Sequence, residues 1–295
     1  PVEAAAEAPP PPGAANIDPD AGLIAAVSVE VPSLETAASA GDPIARYQLG
    51  VRLIERGQTA DGAALLRRAA EQGIPEAMRR YGLMLTRGDG VAQDVDAGQD
   101  FVIRAAEAGN VLAMHDAGGL FINAPETAET QAAAARWFQE AALHGHSDSQ
   151  FNMALLFQEG FGVPQSAADA YTWFLIASAG GDVDAGGRAS RIRQSLNPAA
   201  RAEAEQIAQT FTPRTTDPAA QGQYPNLPWN SGPEILTARA QTLLGNLGYD
   251  AGPADGVLGE RTRRAIVRYQ RDTGLEPGSN LTASLVARLE QSAAN

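Results

Sequence analysis

The chain has 295 residues, 44% of them apolar, a formal net charge of −13 and no cysteine. That length holds about two globular domains, and the missing cysteines exclude disulfides and thiolate metal sites. No run of about 18 apolar residues occurs, so the sequence carries no helical membrane span. All 22 cations are arginine. Pro233–Asn295 holds seven acids and seven arginines, so the acidic excess belongs to residues 1–232. An acidic body is a poor partner for nucleic acid, whose phosphates need a basic footprint, and suits basic protein partners.

In chain order, residues 1–32 have the composition of an extended linker, with a proline run at Pro9–Pro12 among alanines. The chain starts at Pro1 without a signal-like segment and reads as a piece of something longer, with a membrane tether expected upstream. The apolar stretch Leu23–Val31 is too short to span a bilayer and is expected as a flap on the first repeat. Ser33–Ala40 looks like the second helix of an incomplete unit. Asp42-Pro43 then starts a helix, with aspartate as N-cap and proline at the first helical position.

From Ala69 to Gly181 the sequence repeats at a shift of 36. Ala69-Ala70, Ala105-Ala106, Ala141-Ala142 and Ala177-Ser178 fall in register, each followed by Gly73, Gly109, Gly145 or Gly181. Phe101, Trp137 and Trp173 share one position, and Leu85, Phe121 and Phe157 another. Small residues recur at Gly82, Gly118 and Ala154. Such a period specifies two helices per unit, stacked because no unit buries its apolar face alone. The recurring glycine marks the C-terminal end of the second helix. Gly88-Asp89-Gly90-Val91 and Gly160-Phe161-Gly162-Val163 mark the turn inside a unit. The first repeat is four residues short at Gly57-Gln58-Thr59, and the third carries Asn123-Ala124-Pro125-Glu126 instead of the glycine turn. These motifs resemble the Sel-like repeats, relatives of the tetratricopeptide repeats, over about Ser33 to Ile207. The resemblance implies a protein-interaction scaffold. The exposed first-helix positions Arg79, Arg80, His115, Asp116, Gln150 and Asn152 are the expected partner-binding face.

Asn197-Pro198 opens a terminal helix over Ala199–Phe211, with Arg201, Glu203 and Glu205 on a polar face, as the end of a solenoid requires. Residues 212–232, rich in proline, form a second linker. Its Tyr224, Leu227 and Trp229 are large for a linker, so part of it is expected to pack on a domain.

The segment 233–295 reads as three helices: Leu236–Leu247, Thr262–Thr273 and Thr282–Gln291. Leu247-Gly248-Tyr249, then Asp255-Gly256-x-x-Gly259-x-x-Thr262, then Tyr269-Gln270-x-x-x-Gly274-Leu275, resemble the small peptidoglycan-binding domain. The closing Thr-Trp common in that family is absent here. The Asp255-Gly256 and Gly259 loop, with its N–H groups and Thr262 as a helix cap, suits a carboxylate ligand. It equally suits a purely loop-shaping role. Arg261, Arg264, Arg268 and Arg271 fall within about 80° of one another on a helical wheel. That stripe is fitted to wall-peptide carboxylates or is an ordinary solvated face. With Tyr249, these residues form the expected peptidoglycan contact.

The fold class is therefore all-α: a right-handed α-solenoid of helix-turn-helix repeats plus a small three-helix C-terminal domain. His144-Gly-His146 with Asp148 is the one cluster with a metal-like look, and it lacks the three or four converging ligands zinc needs. No nucleophile–base pattern or phosphate loop is legible, so we expect a non-enzyme with no cofactor and no metal. Together, the two halves resemble the periplasmic region of the PodJ family of polar organelle development factors. That resemblance implies a polar scaffold of a single-pass inner-membrane protein, with peptidoglycan and the periplasmic portion of a sensor histidine kinase as partners. An accessory subunit of a wall hydrolase, and a pole organiser whose last domain binds protein, remain alternatives.

Overall fold

The computed structural model describes residues 18–225, Leu227, Trp229 and 232–294. The proline run Pro9–Pro12 lies outside them. The described residues form fifteen helices: α1 Ala21–Ala26, α2 Leu34–Ala40, α3 Pro43–Glu55, α4 Thr59–Glu71, α5 Pro75–Arg87, α6 Val95–Glu107, α7 Val111–Ile122, α8 Ala128–Leu143, α9 Ser147–Glu159, α10 Ala167–Ala179, α11 Val183–Arg193, α12 Pro198–Thr210, α13 Pro233–Asn246, α14 Glu260–Asp272 and α15 Ala283–Ala294. They divide into two compact units. Leu34–Pro225 is one, and the described residues on either side of it in sequence form the other.

In the first unit, α2 to α11 stack in sequence order as a helical solenoid, and α12 packs back on α10. The alanine pair and glycine of the repeat have a specific backbone role. Gly73, Gly109, Gly145 and Gly181 lie at φ +95, +87, +89 and +101°, a region that glycine enters at little cost and residues with a Cβ do not. The next amide then bonds back to the first residue of the pair: Ile74 N to Ala69 O at 3.1 Å, Asn110 N to Ala105 O at 3.1 Å, His146 N to Ala141 O and Asp182 N to Ala177 O at 3.0 Å. This closure satisfies carbonyls that the helix end leaves open.

The small first-helix positions let helices of a pair touch backbone to backbone. A Cβ added at Gly82 meets Gly98 O at 2.7 Å, and one at Gly98 meets Gly82 O at 2.6 Å. The third repeat replaces the glycine turn by another device. Asn123 stays right-handed at φ −90° and donates to Gly119 O, and Thr127 with Thr130 forms a reciprocal capping box at the start of α8. The terminal helix α12 packs through Ala204. Its half-exposed Glu205 accepts from Tyr171 Oη at 2.9 Å and Arg193 Nε at 3.2 Å.

Two stretches expected as linkers are built into the units. In the solenoid, residues 213–224 lie against the repeats, and Tyr224 packs edge-on to Tyr47 at 6.1 Å. In the other unit, α13, α14 and α15 enclose Leu244, Ile266 and Leu289, all fully buried. The apolar stretch Leu23–Val31 joins this core, not the first repeat. Ile24 and Val27 are 7% and 1% exposed within it, because Leu281 and its neighbours offer the apolar cover that a six-residue helix lacks alone. Val29 forms a parallel bridge with Leu281, through Leu281 N to Ser28 O at 2.8 Å and Glu30 N to Leu281 O at 3.0 Å. Among the described residues no helix is long and apolar enough to cross a membrane.

Candidate functional site

The loop between α13 and α14 closes around one buried side chain, Gln241, which is 3% exposed. Gln241 Nε2 donates to Asp255 Oδ1 at 3.0 Å, Val257 O at 3.1 Å and Thr262 Oγ1 at 3.1 Å, and its Oε1 accepts from Gly256 N at 3.0 Å. Asp255 also accepts from Val257 N. These two sets of donors, the backbone amide first, hold its carboxyl below the usual range. Gly256 sits at φ +77°, where an added Cβ would lie 2.8 Å from Glu234 O. The loop is therefore shaped from inside. Its N–H groups at Gly256 and Val257 are already bonded, and Gly259 N donates to Val257 O. The amides that a carboxylate ligand was expected to meet are thus engaged within the loop. Thr262 is not a cap either: α14 starts after Gly259, and the buried Thr262 hydroxyl donates to Ala251 O at 2.9 Å.

The arginines of α14 separate into two groups. Arg271 and Arg264 pair with Asp20 and Asp18 of the N-terminal stretch, at 3.0 Å for Arg271 Nη1 and 3.2 Å for Arg264 Nη2. Arg263, outside the predicted stripe, donates to Val27 O. Arg261 pairs with the exposed Asp250, and Arg268 lies 4.0 Å from Asp272. The side chains of Arg261 and Arg268 are 66% and 78% exposed, so their partners hold them weakly. Tyr249 stands beside them, its hydroxyl 3.2 Å from Asp272 and its ring edge-on to Tyr269. A feature without a sequence signal is the groove between α13 and α15, about 710 Å³, lined by Leu236, Ala238, Thr242 and Val286 and flanked by the Arg239–Glu290 pair. It joins residues about 50 positions apart, which no local pattern announces.

On the solenoid, the predicted partner face is only partly a surface. Glu76 is buried at 3% exposure and gathers Arg79, Arg80 and Asn110: Arg80 Nε at 2.7 Å, Arg79 Nε at 3.0 Å and Asn110 Nδ2 at 3.0 Å. Burial works to raise its pKa, and the two guanidiniums outweigh burial and hold it below the usual range. Arg79 also bridges to Asp116 of the next repeat at 3.0 Å, so this pair ties repeats together. Gln150 is 3% exposed and donates to Ala142 O, which corrects its expected exposure. Its position faces the preceding repeat, where an unpaired carbonyl would be costly. His115 and Asn152 are half-buried, and Arg80 remains exposed.

The histidines do not converge on one point. His144 Nδ1 approaches Arg214 O, whereas His146 caps α9 by accepting from Ser149 N. His115 stacks on His146 with ring centres 4.5 Å apart and shares Ser149 Oγ with it. Burial pushes both imidazoles below their usual range, and for His146 the neighbouring His115 adds to it.

Comparison with known families agrees with this architecture. Sel1 repeat matches fall on residues 43–74, 75–110, 131–146 and 147–182, and the "Putative peptidoglycan binding domain" family matches residues 236–289. The chain thus combines Sel1 repeats with a peptidoglycan-binding domain in one polypeptide. It is similar to the localization factor PodJL of Caulobacter vibrioides, in two strains, with 38% identity over 118 residues. That match takes in 39% of this chain and only 12% of the relative's length. Among solved structures, a Sel1 repeat protein from Oxalobacter formigenes aligns at a TM-score of 0.48 and 22% identity, covering 62% of this chain and 76% of the other. The protective antigen c5321 of uropathogenic Escherichia coli, which displays an SLR fold, aligns at 0.39 and 19%, covering 60% of this chain and 47% of the other.

Proposed function

We propose that this chain is a non-catalytic periplasmic scaffold of a polar localization factor, in which the repeats bind protein partners and the C-terminal unit binds peptidoglycan. The observation that carries this reading is the joining of Sel1 repeats to a peptidoglycan-binding domain, in a chain 38% identical over part of its length to a localization factor. The wall contact is made by the exposed edge of α14, Arg261 and Arg268 with Tyr249, because Asp255, Gly256 and Thr262 are committed to the loop around Gln241. Guanidinium groups held only by exposed carboxylates exchange those partners readily for the carboxylates of wall peptides. Co-sedimentation of the full chain with purified peptidoglycan sacculi tests this. The full chain pellets at low salt, and Arg261→Glu with Arg268→Glu lowers the pelleted fraction at least tenfold. Equal pelleting by the variant would move the site elsewhere, and no pelleting by the unsubstituted chain would remove wall binding from the function.

A further inference from the structure

Residues 213–224 lie along the repeats, without regular structure to Asp217 and then as a turn closed by Gln221 N and Gln223 N to Pro218 O and Gly222 N to Ala219 O, and the contacts show what such a peptide needs. Pro213 packs on Gly145, and Arg214 donates its amide to Leu143 O at 2.9 Å and its guanidinium to Glu140 at 3.0 Å. Residues 215–218 then run exposed. A second anchor follows at Ala220, Gln221, Gly222 and Tyr224. The Gln221 carboxamide is read by backbone on both sides: Nε2 donates to Gly109 O at 2.8 Å, and Oε1 accepts from Val111 N at 3.0 Å. Val111 N is one of the amides that the start of α7 leaves without a helical partner. The buried Asn110 donates from Nδ2 to Ala220 O at 2.6 Å while its Oδ1 caps the helix. Gly222 lies at φ +73° with Tyr47 Oη 2.7 Å and Glu76 Cγ 2.9 Å from where a Cβ would stand, so only glycine fits. Tyr224 fills the last place against Tyr47.

We infer that this surface, across the N-terminal ends of α3, α5 and α7, is a binding groove for a peptide that presents Ala-Gln-Gly-x-Tyr in a glycine-closed turn, and that residues 213–224 occupy it in cis until a partner carrying that chemistry displaces them. The inference rests on the reading of the repeats as the protein-binding part, and it is independent of wall binding. A primary carboxamide is required because the site presents one acceptor and one donor. A glutamate places a carboxylate against the Gly109 carbonyl and loses the donor. The preceding repeat junction does not offer the same pair of groups. There, Ile74 has no side-chain donor and Pro75 has no N–H to give. A tethered occupant competes at a local concentration in the millimolar range, so a partner binds weakly unless the segment is first loosened.

The test uses the full chain and a fluorescent peptide of sequence Thr-Pro-Arg-Thr-Thr-Asp-Pro-Ala-Ala-Gln-Gly-Gln-Tyr-Pro, followed by anisotropy. Gly222→Val, which evicts the cis segment while leaving the groove intact, binds the peptide at least tenfold more tightly than the unsubstituted chain. A peptide with glutamate at the position of Gln221 loses at least tenfold on that variant. A folded Gly222→Val chain that binds neither peptide, or both equally, overturns the inference, and the sacculi assay remains unaffected in either case. Should that variant fail to fold, hydrogen exchange on the unsubstituted chain decides. Arg214, Gln223 and Val111 amides exchange together, at least tenfold faster than the interior amides of α5 and α7. Exchange of all of these at one rate means the segment opens only with the whole solenoid, and overturns displacement.

Discussion

The two units are closed by opposite means. The solenoid is closed by repetition: the same alanine pair, glycine and small first-helix residue recur, and each repeat presents the next with the same surface. The C-terminal unit is closed by singular contacts, a buried glutamine inside a loop and a strand-like segment from more than 200 residues earlier in the chain. Damage to the first spreads over neighbours that are alike. Damage to the second removes something that has no copy.

The largest effect is therefore expected from deleting residues 18–31. Burying an aliphatic side chain is worth about 1.5–3 kcal/mol, so losing Ile24 and Val27 costs on the order of 5 kcal/mol. That is comparable with the whole stability of a small domain. Hydrogen exchange over α13–α15 rises to unprotected rates while the solenoid keeps its protection. Gln241→Leu comes next. It strands the Gly256 amide and the Asp255 and Thr262 partners, at a cost of about 3 kcal/mol, read as a lower denaturant midpoint for the C-terminal unit alone. Gly98→Ala drives a Cβ to 2.6 Å from Gly82 O and costs about 2 kcal/mol, lowering the solenoid's melting temperature without altering the other unit.

The smallest effect is one of pH. Burial holds the His115 and His146 imidazoles below the ordinary histidine value of 6.5 in the folded chain, so the unfolded chain takes up their protons first. Their contribution is full above pH 6.5 and is lost as the pH falls below it, toward the folded values. Asp116 and Asp148 moderate the loss. The solenoid's melting temperature falls by a few degrees between pH 7 and 5, and His115→Asn with His146→Asn flattens that slope.

The solenoid was legible because its code is local. Ala-Ala-x-x-Gly lies within one helix end, and every bond it makes is within five residues. The helices of the C-terminal unit were legible for the same reason. What escaped is what chain separation hides. Leu23–Val31 carried an apolar signal but no address, and its true partner, Leu281, lies about 250 residues away. Tyr224 likewise signalled packing within a proline-rich stretch without naming Tyr47. Asp255, Gly256 and Thr262 were picked out by a motif that does not distinguish ligand contact from loop construction. The distinguishing residue was Gln241, a polar side chain between Ala240 and Leu244 on the buried face of α13. Gln150 was misread because helical spacing places a residue on a face without saying how closely the preceding repeat covers it.

Wall binding by the C-terminal unit is expected to require its N-terminal piece, residues 18–31, whose Ile24 and Val27 are buried in that core. Sedimentation of three species with sacculi measures this directly: the full chain, the chain lacking residues 18–31, and the isolated segment 233–295. The full chain pellets, and the other two stay in the supernatant although the deletion leaves the solenoid folded. A full chain that stays in the supernatant at low salt, or an isolated 233–295 that pellets as well as the full chain, would contradict it.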